Sequence, residues 1–134
     1  MALTSITDTR MLIHLEFPTN QEEGAKTSEF FERELRGHLL APTIVLTEFV
    51  EVAGKKIGKD AAKNRLRILK EKGMQIIDLD ENHALNAGEM LLAHTKVPIT
   101  DALVASYVKC GEAEYVLTDD PHYKTLNTKT KWIT

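Results

Sequence analysis

Tyr115-Val116-Leu117-Thr118-Asp119-Asp120-Pro121 decides how this chain is read. An apolar, β-branched run has strand character, and here it breaks directly into two acids and a proline. The same pattern opens the chain. Ala2–Thr7 is short and partly β-branched, and it ends at Asp8. A further strand is expected over Met74–Leu79, and a very short one over Leu39–Ala41. Lys131–Ile133 fits a last edge strand.

Helical periodicity fills the intervals between these runs. Met11–Phe17 reads as a helix, Pro18–Gly24 as a loop, and Lys26–Arg36 as a second helix carrying Phe30, Phe31 and Leu35 on its apolar side. Phe30 and Phe31 are expected in the core rather than in a groove for a partner. Pro42 and Thr43 start a helix whose apolar residues surround Glu48. Asp60 is the expected N-cap of a helix stopping near Gly73. Asp80 caps another, with Leu85, Met90, Leu91 and Leu92 as its apolar residues. Thr100 or Asp101 opens an apolar helix that Gly111 ends. Strands alternating with helices predict an α/β domain with a mainly parallel sheet, one domain over residues 1–134.

Composition excludes several classes. With 134 residues, 43% of them hydrophobic and 28% charged, the chain can bury a core and is not disordered. A single cysteine, Cys110, rules out an internal disulfide and fits a reducing cytoplasm. No apolar run is long enough for a membrane span, and the N-terminal residues do not read as a signal peptide. The net charge is −3, yet the segment from Lys55 to Lys72 holds eight cations against Asp60 and Glu71, a local excess of +6. Such a stretch is either a solvated helix face or a local grip on phosphates.

The acids carry the chemistry. In parallel sheets, ligands bind beyond the carboxyl ends of the strands. Asp8 and the pair Asp119–Asp120 each follow a strand, so they share one crevice if those strands are neighbours. Asp101 and Glu48 lie near helix starts on the same edge. Taken singly, Asp8 and Asp101 read as N-caps and Asp119-Asp120-Pro121 as a turn. Together they would repel one another unless a cation compensates. Oxygen ligands select hard ions such as Mg²⁺ or Mn²⁺, and His14, His38, His83, His94 and His122 show no zinc-ligand spacing. A divalent ion beside activated water is the chemistry of phosphodiester hydrolysis.

These residues resemble a known family. Ile6-Thr7-Asp8-Thr9-Arg10-Met11-Leu12-Ile13 is similar to the opening of PIN domains. Pro42-Thr43-Ile44-Val45-Leu46-Thr47-Glu48-Phe49 resembles their second motif, and Ile99-Thr100-Asp101-Ala102-Leu103-Val104-Ala105-Ser106 their third. Val116-Leu117-Thr118-Asp119-Asp120-Pro121-His122-Tyr123 resembles the fourth. The likeness runs from about residue 3 to about residue 126, and in size and pattern it is nearest the VapC toxins of prokaryotic toxin–antitoxin pairs.

The resemblance implies a Mg²⁺- or Mn²⁺-dependent ribonuclease, cytoplasmic and homodimeric, neutralised by a small antitoxin protein. It implies that Asp8, Asp101 and Asp120 hold the metal. Glu48 would complete the site, Thr118 would support the fourth acid, and Thr9 would hydrogen-bond within it. Asp120 is preferred over Asp119 because Tyr123 then falls at the family's offset, though Asp119 stays open. Arg10 stands where a smaller residue is common, so it alters access or contacts a phosphate.

Two other classes compete. A receiver-type signalling domain wants paired acids after the first strand, where Asp8 stands alone. A non-catalytic RNA- or protein-binding module on the same fold would bind without cutting. Gly54-Lys55-Lys56-Ile57-Gly58-Lys59-Asp60 is not a P-loop, having three residues between its glycines and no hydroxyl after the lysine.

Overall fold

The chain crosses one five-stranded sheet in the order β3-β2-β1-β4-β5, with every neighbouring pair parallel. The computed structural model describes residues 3–133. The strands are β1 (Thr4–Thr7), β2 (His38–Pro42), β3 (Gln75–Ile77), β4 (Tyr115–Leu117) and β5 (Thr130–Lys131). The helices are α1 (Thr9–Glu16), α2 (Gln21–Leu35), α3 (Thr43–Ile57), α4 (Lys59–Glu71), α5 (Glu81–Ala93), α6 (Ile99–Lys109) and α7 (His122–Thr125).

Parallel pairing requires a crossover between strands, and helices supply it. Two helices precede each of β2, β3 and β4, and α7 alone precedes β5. The chain steps from β1 to β2 to β3, then returns through α5 and α6 to place β4 on the other side of β1. The sequence order therefore reverses between β1 and β4. That is the switch point at which α/β sheets open a crevice beyond their carboxyl ends.

The core forms where helix faces meet the sheet. Ile6, Leu39, Val116 and Leu117 from the strands pack with Met11, Leu12, Phe30, Phe31, Phe49 and Val104 from the helices. Phe30 and Phe31 are buried, as expected. Helix α1 packs on α2 and α3, α3 on α4, and α5 on α6. No helix among the described residues is long and apolar enough to cross a membrane.

Several boundaries differ from the periodicity. The Pro18–Gly24 loop is shorter than expected, because α2 starts at Gln21 with the Asn20 side chain accepting the Glu23 N–H at 2.9 Å. Polar Gln21-Glu22-Glu23 hides this turn from an apolar pattern, while acids suit a helix N-terminus. Asp60 is not a cap; it lies in the first turn of α4. Gly58 alone separates α3 from α4. Its φ of +88° is the left-handed region that glycine adopts without strain.

In α5 the buried face is His83, Ala87 and Met90, while Leu85 and Leu92 are 64% and 84% exposed. Hydrophobicity identified those two leucines but could not say which side of α5 meets α6. Asp101 likewise does not cap α6; Pro98 holds the cap position and Asp101 lies in the first turn. The last strand is Thr130–Lys131, and Trp132 and Ile133 pack half-buried on the core. Of the expected first strand Ala2–Thr7, Ala2 lies outside the described residues.

Candidate active site

Asp8 is placed by the shortest possible device. It is the residue after β1 and the N-cap of α1, with Oδ1 accepting the Met11 N–H at 2.9 Å. It is 4% exposed, and burial pushes its carboxyl up to about 7, with the charges of Asp101 and Asp120 adding. The Thr118 hydroxyl and the Met11 N–H oppose that rise without cancelling it.

Asp120 reaches the same crevice from β4. Thr7 pairs with Leu117, so Asp8 and Thr118 continue two adjacent strands in register. The Asp120 N–H donates to Thr118 Oγ1 at 3.0 Å, and Asp120 Oδ1 accepts the His122 N–H at 2.9 Å. This compact turn aims the Asp120 carboxylate inward. Asp119 points elsewhere, into an exposed ion pair with Arg10. The crevice of about 280 Å³ is lined by Asp8, Thr9, Arg10, Glu48, Glu51, Val52, Pro98, Asp101 and Asp120. Asp119 is not among them.

Asp101 projects from the first turn of α6, and its carboxyl is pushed up to about 6. Burial is the main cause, and the charges of Asp120 and Glu48 add to it, while His122 works the other way. Glu48, on α3, is fixed at both oxygens. Oε1 accepts the Thr9 hydroxyl at 2.5 Å and Oε2 accepts the Thr100 hydroxyl at 3.1 Å. Beneath them Tyr123 is fully buried, its hydroxyl 3.5 Å from Asp101 Oδ1. Burial and the surrounding carboxylates hold that phenol far above its ordinary range.

The structure thus brings Asp8, Glu48, Asp101 and Asp120 around one crevice. It adds two residues that were not singled out for the site, Thr100 and His122. His122 shows no zinc-ligand spacing in the chain, yet the fold sets it beside two of the acids. Asp101, Asp120 and His122 offer ligand atoms that all lie within 4.8 Å of one another. Their positions in the chain do not form a ligand motif, because the trio spans α6 and the β4–α7 turn.

The donors fit a divalent cation. The crevice is rich in carboxylate oxygens, two of whose acids are held protonated to unusually high pH by burial and mutual repulsion. Asp101 Oδ2 is buried with no hydrogen-bond partner among the described residues. A cation would relieve both conditions.

The basic segment takes no part in lining the crevice. Arg65, Arg67 and Lys72 pair with Glu16, Glu71 and Glu32. Lys55 is one helical turn beyond Glu51 on α3, and Arg10 is the cation that lines the crevice itself. A larger cavity of about 740 Å³ lies at the amino ends of β1 and β4, bordered by Leu3, Met90, Val108 and Tyr115. It holds none of the four acids, so chemistry rather than size locates the site.

Comparison with known proteins bears on the fold. No curated protein matches the chain. Among solved structures, a chain of VapBC2 from Rickettsia felis, bound to a DNA fragment from their promoter, superposes with a TM-score of 0.79 at 17% identity, covering 98% of this chain and 100% of that one. VapC20 of Mycobacterium tuberculosis, a Sarcin-Ricin loop cleaving toxin, superposes at 0.77 with 13% identity, covering 92% and 95%. A chain of DNA-bound VapBC from Salmonella typhimurium gives 0.72 with 15% identity, covering 97% and 98%. At such identities the likeness is one of fold. The family model for the PIN domain matches residues 6–128. The parallel sheet, the acids at its switch point and that match together make this chain a member of the PIN-domain family.

Proposed function

We propose that this PIN domain, acting over residues 1–134 as one unit, is a metal-dependent endoribonuclease. The carrying observation is the meeting of Asp8, Asp101 and Asp120 in one crevice beside a doubly anchored Glu48. In this reading Asp8, Asp101 and Asp120 hold Mg²⁺ or Mn²⁺. When bound, the ion supplies a Lewis acid for a phosphate oxygen and lowers the pKa of water beside it.

The chain's own groups do the rest. Asp8 and Asp101 must lose their protons for the site to load, and loading therefore improves as pH rises towards 7. Thr9 and Thr100 hold Glu48 still, leaving each of its oxygens a free lone pair with which to orient the attacking water. Arg10 stands at the rim, where exchange of Asp119 for a phosphate gives the RNA backbone a contact. The lysines from Lys55 onward extend that contact along the strand.

Because chains from two VapBC structures and the toxin VapC20 share this fold, we read the chain as the toxin of a toxin–antitoxin pair, a cytoplasmic homodimer restrained by a small antitoxin protein. The test is cleavage of labelled single-stranded, transfer and ribosomal RNAs with Mg²⁺, Mn²⁺ or EDTA. A variant with Asp8→Asn and Asp101→Asn runs alongside. Metal-dependent cutting absent from the variant supports the reading. RNA binding with no cutting under any metal replaces it with a non-catalytic binding module.

A further inference from the structure

We propose that His122 is a direct ligand of the divalent ion held by Asp101 and Asp120, and that this nitrogen makes the site select Mn²⁺ over Mg²⁺. The inference rests on the metal site proposed above and deepens it.

Geometry comes first. His122 Nδ1 lies 3.1 Å from Asp101 Oδ2 and 2.9 Å from Asp120 Oδ1. Those are hydrogen-bond distances, yet neither Nδ1 nor Asp101 Oδ2 makes an aligned hydrogen bond among the described residues, and both atoms are buried. Nδ1 and Asp101 Oδ2 sit side by side with no aligned hydrogen bond among the described residues, and Asp120 Oδ1, which accepts the His122 N–H, keeps a lone pair, so all three atoms can face a common cation. Adjacent ligand atoms of an octahedral ion with bonds of about 2.1 Å lie about 3.0 Å apart. The two observed separations match that edge.

The imidazole is also held in place. Its own backbone N–H donates to Asp120 Oδ1, so ligand and neighbour share one turn. The next residue, Tyr123, is fully buried and anchors α7. With Nδ1 contributing a lone pair, the proton sits on Nε2, and the side chain is 41% exposed. The ring therefore presents an N–H outward, available to substrate or solvent.

The consequence is metal choice. Carboxylates and water accept Mg²⁺ readily, whereas imidazole favours first-row transition ions, and Mg²⁺ gives up its waters reluctantly. A mixed nitrogen and oxygen site shifts preference towards Mn²⁺ and the later ions of that row.

The test uses the full chain loaded with Mn²⁺ and read by electron spin echo spectroscopy, which detects a directly bound ¹⁴N. The expected result is an imidazole nitrogen signal that His122→Ala removes while melting as a folded protein. Calorimetry should show Mn²⁺ affinity falling at least about tenfold in that variant, with Mg²⁺ affinity falling by less than about threefold. Mn²⁺ bound without a nitrogen signal, and equally well by His122→Ala, overturns the inference. If Asp101→Asn then still abolishes that binding, the acidic site stands and only the histidine's role is lost. Failure of the native protein to bind Mn²⁺ at all overturns both.

Discussion

Thr7 of β1 lies in register beside Leu117 of β4. One step further along each strand stand Asp8 and Thr118, and the Thr118 hydroxyl favours the charged form of Asp8. This single pairing joins the two halves of the crevice, and the behaviour of Asp8 follows from it.

Replacing Asp8 with Asn should separate cleavage from RNA binding. Cleavage should fall by about a hundredfold or more, since the ion's charge stabilisation is worth several kcal/mol. RNA binding should persist or improve, because one repelling charge leaves the crevice. Cleavage kinetics and a binding titration on the same preparation check both halves.

The metal-free protein should lose stability as pH rises. Asp8 has a folded value of about 7 against an ordinary 3.8, so the folded state binds more protons across that window. The Asp8 contribution is then greatest below about 4, declines to about 7 and is flat beyond. Asp101 contributes in the same direction up to about 6. The Asp8 part is on the order of 2–4 kcal/mol. Urea unfolding in EDTA at pH 5 and pH 7.5 measures it, and Asp8→Asn should flatten most of the slope. Saturating Mn²⁺ should reverse the trend, since loading releases those protons.

Glu48 and Phe49 are neighbours with opposite duties. Thr100→Val frees one oxygen of Glu48 and should cost about tenfold in kcat, with Glu48→Gln costing more, because loss of fixed geometry can cost about a hundredfold. Neither should move the melting temperature far. Phe49 is wholly buried, so Phe49→Ala should cost about 3–5 kcal/mol. Thermal melts beside single-turnover kinetics distinguish the two effects.

Arg10 and Asp119 should have effects of opposite sign on RNA binding. If Arg10 makes the proposed phosphate contact, Arg10→Ala should lower affinity severalfold and flatten the salt slope by about one. Asp119→Asn releases Arg10 from its ion pair and should tighten binding. Fluorescence titrations across a salt series read both. An unchanged slope in Arg10→Ala would remove the arginine from the RNA path.

Much of this was legible in the chain itself. Apolar runs ending at Asp8 and at Thr118 marked strands, and a strand's period of two is a local property. Glu48 stood out because an apolar helix segment seldom carries an unexplained acid. Helix faces were less legible. Leu85 and Leu92 read as the apolar residues of α5 yet are exposed, because periodicity records hydrophobicity and not which side of α5 meets α6.

What the sequence by itself determined is an alternation of strands and helices with acids at the strand ends, since backbone preference and side-chain period act over a few residues. Only the tertiary structure decided that β1 and β4 are neighbours, that Asp120 rather than Asp119 turns inward, and that Thr100 and His122 join the group. Those outcomes depend on contacts between residues up to about a hundred positions apart. Packing and hydrogen bonding across the sheet select such contacts, and no local pattern encodes them.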